Sequence, residues 1–255
     1  MPTDSPQQVV QALVQARRTH RAAEAAALAD ALSTPQEAYA AQAAVAQALA
    51  WFDGAPRHWK SGGPSRDKPL THAPLPPAGV WSSPAAAGAW PLHSRGIEAE
   101  VALRLGMPVD AGLAATLTES SAARLVDAMA VSIEIVDSRW REGGAAAALL
   151  RLADLQSHGA LVLGDWLPFQ SRDWSAQRCR VRIGARPMVE RQGSHSLGDP
   201  AWLLPLWLRH ATQGAQVVPA GTVVTTGTWV GLLQAAAGER VDVEFDGIGS
   251  ASVQL

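Results

Sequence analysis

The chain has 255 residues, 47% of them hydrophobic and 17% charged, with a formal net charge of −2. That length suits one large domain, or a domain with a smaller appendage, and the apolar fraction is ample for a core. The charge leaves no footprint for nucleic acid. The lone cysteine, Cys179, excludes an internal disulfide and argues against a cysteine zinc site. No uncharged apolar run reaches the roughly 18 residues of a membrane span.

The first residues, Met1 to Pro6, lack the charged and apolar regions of a secretory signal, so a soluble, cytoplasmic protein is expected. Residues 5–32 are Ala-rich, with Val9, Val10, Leu13 and Val14 at helical spacing. The only basic cluster, Arg17 to Arg21, suits the solvent face of that helix. A second helix is predicted from Pro35 to about Ala50. Thr34 is its N-cap, Pro35 its first position and Glu37 the far end of a capping box. From Trp51 to Ser94, Pro and Gly are too dense for a helix, which predicts a long irregular segment with short strands, of the kind that forms lids and binding loops.

Residues 97–105 then predict a strand. Thr118 to Ala130 reads as a helix, Val131 to Asp137 as a strand, and Gly143 to Leu155 as a helix. Ala160 to Leu163 reads as a short strand, and Arg178 to Glu190 as a hairpin. A helix opens at Asp199-Pro200 and bends near Pro205, and strands follow at 223–226, 241–245 and 251–255. Leading helices and a strand-dominated remainder predict an α+β fold: an N-terminal helical part and lid segment over 1–80, and a β-rich catalytic core over 81–255. The ten tryptophans, Trp51, Trp59, Trp81, Trp90 and Trp140 among them, read first as packing residues.

The most informative feature is Glu98 and Glu100 within the apolar strand 97–105. A strand sends residues i and i+2 to one face, roughly 6.6 Å apart. Like charges at that separation repel by about 3 kcal/mol at an effective dielectric near 20. Open water offsets this on an exposed face, and a divalent cation offsets it in a closed one. Glu134 lies in the apolar run Ile133 to Val136, where an ionised carboxylate is costly unless paired. If the two strands are neighbours, three carboxylates meet, an all-oxygen set suited to Mg²⁺ or Mn²⁺. Spacing alone leaves both a wet acidic face and a metal site open. Lys60, between Trp59 and Ser61-Gly62-Gly63, can reach an anionic group or simply be a solvated loop lysine. Asp165, His158 and His195 are lone titratable residues. A Ser or Cys nucleophile at Ser157 or Cys179 is poorly supported.

These residues fall into blocks. Glu37-Ala38-Tyr39-Ala40-Ala41-Gln42, Lys60-Ser61-Gly62, Ile97-Glu98-Ala99-Glu100, Ile133 to Arg139, Ala153 to Gly159, Leu197 to Pro200, Gly227 and Asp246 to Ser250 follow in order. In that order the chain resembles the hydratase/decarboxylase branch of the fumarylacetoacetate hydrolase superfamily, typified by 2-oxopent-4-enoate hydratases. The resemblance implies a β-rich, barrel-like core, Mg²⁺ or Mn²⁺ on Glu98, Glu100 and Glu134, and a homo-oligomer. It implies a metal-dependent lyase that adds water to a 2-hydroxy-2,4-dienoate in aromatic catabolism. Lys60 would be catalytic and bind substrate, with Ser157 and Thr226 as further substrate contacts. The alternatives are decarboxylation of 2-oxohex-3-enedioate, or a weakly active 2-oxo-acid-binding relative or partner subunit of a pathway enzyme. An arginine at the far end of the substrate would favour a second carboxylate; Arg57, Arg66 and Arg139 are the candidates. The chain departs from the family at Gly63-Pro64, where a Leu-Thr pair is usual. It departs again at Pro76-Pro77-Ala78-Gly79, where an Asp and an aromatic are usual, and at Leu155, where an Asn is usual.

Overall fold

The computed structural model describes residues 5–255. The first helix, Ser5–Thr19, buries Val9, Val10, Leu13 and Ala16. It ends well short of residue 32. The chain reverses through His20 at φ 54°, and only a 3-10 turn, Ala26–Leu28, follows. The second helix, Pro35–Ala48, starts as expected, with Thr34 and Glu37 forming a reciprocal capping box and Pro35 in the first turn. The two helices share an apolar cluster with Trp140, Leu150 and Leu152.

The main sheet runs in the order Thr71–Pro74, His58–Gly62, Val223–Thr225, Gly96–Leu105, Val126–Val136, His158–Leu163 and Val80–Ser82. Short strands Leu233–Gln234 and Leu167–Pro168 attach to its two central members. It curls into a half-barrel, as the β-rich, barrel-like expectation required. A second sheet has the order Val189–Gln192, Arg178–Ile183, Arg240–Phe245, Gly249–Gln254 and Ala85–Ala86. Its strands alternate cleanly: Cys179, Val181, Ile183 and Val241, Val243, Phe245 are buried between outward residues. They join Ile97, Ala99, Val101, Leu103, Ile133 and Ile135 in one core, together with Trp207 and Trp229. His58–Gly62 and Thr71–Pro74 belong to the main sheet, so no break in that sheet coincides with residue 80.

Two helices expected from the sequence are shorter than their spacing suggested. Thr118 caps only Glu119–Ala123, and Val126–Val136 is an eleven-residue strand. Leu125, Val126 and Met129 imitate a helical stripe. The strand is buried on both faces, which removes the alternation that identifies strands. Its pairing with Gly96–Leu105, from Gly96↔Val136 to Leu105↔Val126, decides the conformation. Gly143 to Leu155 likewise divides into the turn Gly143–Ala145 and the helix Ala148–Ala153. The helix at Asp199 opens as a 3-10 turn, Pro200–Leu203, and becomes α over Leu204–Ala211 with Pro205 in its first turn.

Candidate active site

Sheet register places the site. Directly paired residues of adjacent strands share a face. Glu98 pairs with Glu134 and Glu100 with Ser132. Ala102, on the same side as both glutamates, pairs with Thr225, and Thr225 pairs with Lys60. Lys60, Glu98, Glu100, Glu134 and Thr225 thus face one side of the sheet and line one cavity of about 550 Å³. Each of the three glutamates offers an oxygen within 4.8 Å of the others'.

Each carboxylate is held differently. Glu100, 2% exposed, accepts a hydrogen bond from the Thr225 hydroxyl and another from the Gly227 amide at 3.0 Å, both on Oε2. Glu134, fully buried, accepts on Oε1 from the Lys60 ammonium and from His158 Nδ1 at 3.1 Å. Its Oε2 is buried with no partner among the described residues. Such an orphaned oxygen is costly in a dry site. Glu98 is half-buried at the open edge. Burial, then the charge of Glu134, pushes Glu98 up to about 8. The same causes push Glu100 up to about 7, against the hydrogen bond from Thr225. Burial would raise Glu134 too, but the Lys60 charge and His158 outweigh it and hold it below the ordinary carboxylate value. Burial works to lower Lys60, and the carboxylates around it, Glu134 foremost, hold it above its usual value and protonated. When all three carboxylates are ionised, the one ammonium does not balance them. A convergent all-oxygen donor set, an orphaned carboxylate oxygen and that unbalanced charge fit a hard divalent cation.

The wall beside the carboxylates comes from residues 137–159. Asp154 accepts from the Arg139 amide at 2.8 Å, from Arg139 Nε at 2.7 Å and from Arg17 Nη2 at 3.1 Å. Gln42 Nε2 donates to the Leu152 carbonyl at 2.5 Å, and the Tyr39 hydroxyl accepts from the His72 amide at 3.2 Å. The early Tyr-x-x-Gln helix thus braces this wall through Gln42 and the strand Thr71–Pro74 through Tyr39. After Ala148–Ala153 the chain passes through Leu155, Gln156 and Ser157 at φ 53°, 53° and 58°. Three consecutive left-handed residues, none of them glycine, are strained. The turn brings the Gln156 carbonyl to 3.3 Å from Lys60 Nζ and starts the strand that carries His158 to Glu134.

Among the expected site residues, Lys60, Ser157 and the three glutamates line the cavity. Thr226 does not: it is fully buried and its hydroxyl donates to the Val101 carbonyl at 2.7 Å. Thr225, one residue earlier and hence on the other face, is the cavity threonine. His158, which looked like a lone packing residue, is the second hydrogen-bond partner of Glu134. None of the three candidate arginines lines this cavity. Arg57 donates to the Ala220 carbonyl and Arg66 to the Leu197 carbonyl, while Arg139 is buried against Asp154. Arg151 lines it instead, with Gly143 and Gly144. Pro76, Ala78 and Gly79 border a separate, smaller cavity of about 200 Å³ with Arg139 and Trp90.

A curled sheet whose paired central strands converge three carboxylates beside a lysine defines a cation-ready enzyme site. The chain belongs to the fumarylacetoacetate (FAA) hydrolase family, whose C-terminal domain matches residues 41–255. It is 31% identical over 162 residues to 2-keto-4-pentenoate hydratase 1 of Dechloromonas aromatica (strain RCB), a match covering 61% of this chain and 58% of the relative. It is 33% identical over 133 residues to 2-hydroxyhexa-2,4-dienoate hydratase of Comamonas testosteroni, covering 50% of this chain and 48% of the relative. The fold is shared with 4-oxalocrotonate decarboxylase from Pseudomonas putida G7, solved in complex with magnesium and adipate. The TM-score is 0.79, at 17% identity, and the match covers 97% of both chains.

Proposed function

We propose that the protein is a divalent-metal lyase that adds water to a 2-hydroxy-2,4-dienoate and yields a 4-hydroxy-2-oxo acid. The observation that carries this reading is the convergence of Glu98, Glu100 and Glu134 beside the protonated Lys60 in one cavity. Mg²⁺ or Mn²⁺ on the three glutamates is the proposed cofactor; when bound it supplies Lewis-acid polarisation and a template for a chelating 2-oxo carboxylate. Lys60 provides fixed positive charge where the C2 oxygen gains negative charge, in a site where that charge is screened less than in water. In the reaction the C2 hydroxyl proton leaves and C5 gains one, giving a 2-oxo-3-enoate. The oxygen of water then bonds C4 and C3 takes the remaining proton, so nothing is lost. Thr225 and the Gly227 amide fix Oε2 of Glu100, and His158 and Lys60 fix Oε1 of Glu134, so that each keeps its other oxygen for a cation. Ser157 and the Gln156 side chain offer neutral hydrogen-bonding groups to substrate and water.

The names of the sequence relatives favour hydration. The shared fold favours decarboxylation of a 2-oxo-3-enedioate as a second reading, through the same stabilised dienolate. We also propose a homo-oligomer working in the cytoplasm, alone or with another enzyme of the same pathway, which light scattering and co-purification address. The deciding experiment incubates the Mg²⁺- or Mn²⁺-loaded protein with 2-hydroxypenta-2,4-dienoate and 2-oxohex-3-enedioate. Loss of dienol absorbance with a 4-hydroxy-2-oxo product supports hydration, and CO₂ release supports the second reading. Consumption of neither by metal-saturated protein sinks both.

A further inference from the structure

We infer that Arg151 reads a second carboxylate, so that the substrate is a dicarboxylic 2-hydroxy-2,4-dienoate whose far carboxylate is retained. This rests on the lyase reading and names its substrate class.

Only two cations line the cavity among the described residues, Lys60 and Arg151. Lys60 is engaged with Glu134. Arg151 ion-pairs with no described carboxylate, whereas Arg139, the buried arginine of the same wall, is held by Asp154. It therefore stands off the carboxylate cluster while sharing its cavity. Its Nε donates to the Ala146 carbonyl at 3.1 Å, which anchors the guanidinium. Its two terminal nitrogens have no partner among the described residues. An anchored guanidinium with a free fork suits bidentate capture of a carboxylate. Gly143 and Gly144 line the same cavity and leave it open there: a Cβ added at either would meet nothing within 4 Å.

A five-carbon monocarboxylate, held by its oxo-acid end at the glutamates, offers this arginine only a hydrocarbon end. A longer diacid offers a carboxylate at each end, one to the metal centre and one to Arg151. The pairing also bears on the reaction. Loss of CO₂ needs the far carboxylate to surrender its charge into the breaking C–C bond, and a guanidinium stabilises that charge where it is. Arg151 thus favours water addition with the far carboxylate kept.

The test uses Mn²⁺-loaded enzyme, with 2-hydroxyhepta-2,4-dienedioate compared with 2-hydroxypenta-2,4-dienoate. Wild type is expected to favour the diacid in kcat/KM. Arg151→Gln is expected to lower kcat/KM for the diacid by about 10- to 100-fold, mainly through KM, as loss of a charge-assisted pair predicts. The loss on the monoacid should be several-fold smaller than on the diacid, and Arg151→Lys should recover part of the diacid loss. Equal losses on both substrates, a wild-type preference for the monoacid, or CO₂ release from 2-oxohex-3-enedioate would overturn the inference. Calorimetry with 2-oxohexanedioate and 2-oxohexanoate separates it from the lyase reading. If neither dienoate is consumed but the diacid binds more tightly through Arg151, the carboxylate pocket stands and the lyase reading falls. If the two oxo acids bind alike in wild type and Arg151→Gln, the pocket falls whatever the turnover.

Discussion

The two ends of the cavity are built on different principles. The carboxylate end sits on the paired central strands of the main sheet, where Glu98 faces Glu134 in register. The opposite wall, Gly143 to Ser157, is a turn, a six-residue helix and a strained left-handed run, tied down by Asp154 and Gln42. A one-residue slip in a strand would send all its side chains to the wrong face, so strands can hold the ligands of a cation. Loops tolerate exchange, so they can choose which substrate reaches it.

The sharpest way to break this contrast is at its rigid end. Glu134→Gln removes a buried ligand charge and should weaken Mn²⁺ affinity by more than about 100-fold. Calorimetry measures the affinity, and circular dichroism run alongside separates loss of metal from loss of fold. Full Mn²⁺ affinity in a folded variant would remove Glu134 from the ligand set. Lys60→Met should divide the chemistry from the binding. Its kcat should fall by about 10² to 10³, the usual cost of losing a preorganised charge. Its metal affinity should hold, since the competing ammonium on Glu134 is gone. A proportional loss of metal binding would make Lys60 structural rather than catalytic.

How much of each region was legible follows from the same difference. Glu98 and Glu100 announce their shared face by spacing alone, and the capping box at Thr34 and Glu37 fixes a helix start by local chemistry. Glu134 needed the pairing of two strands 30 residues apart, which ordered family blocks supplied and periodicity did not. Thr226 is expected at the substrate and Thr225 stands there instead, because the parity of so short a strand cannot be read without its neighbours; Ala102 and Lys60 set it. In the 137–159 wall, the blocks ending at Arg139 and running from Ala153 to Gly159 were legible, Ser157 among them, and the backbone path was not. Leu155, Gln156 and Ser157 have no preference for left-handed backbone, so local chemistry does not mark the turn that orients His158.

A third test reads the strain of the carboxylate end as pH dependence without metal. Glu98 and Glu100 are pushed up to about 8 and about 7, from an ordinary value of 4.5. Between those limits the folded protein holds protons that the unfolded chain has released, so the free energy of unfolding falls as pH rises. The contribution is whole below about pH 4.5 and is lost as pH passes through about 7 and 8. Glu134, shifted the other way, acts below that window and does not mask it. Burial holds His72 down at about 3 and His195 at about 4, which adds stability as pH rises toward 6.5, so the readout is the difference between wild type and Glu98→Gln/Glu100→Gln, which share those histidines. In chelator, that melting-temperature difference should drop from about pH 5.5 to about pH 8.5, and saturating Mg²⁺ or Mn²⁺ should flatten the wild-type contribution. A difference that stays flat or rises across that range would mean that the carboxylates do not crowd.

The smallest effect belongs to the loop wall. Gln156 sits at φ 53° in the middle of the left-handed run, and its carbonyl, not its side chain, meets Lys60. A non-glycine residue there costs roughly 1 kcal/mol, which glycine would avoid at some cost in unfolded-chain entropy. Gln156→Gly should therefore leave the fold unchanged or stabilise it by up to about 1 kcal/mol, raising the melting temperature by about 2–4 °C. The cavity would lose one neutral polar side chain, so KM should rise while metal affinity stays put. That pattern would mean strain is tolerated in the wall because the side chain serves substrate. A variant that loses stability instead would show that Gln156 is held by packing, and that the wall is as rigidly specified as the strands opposite it.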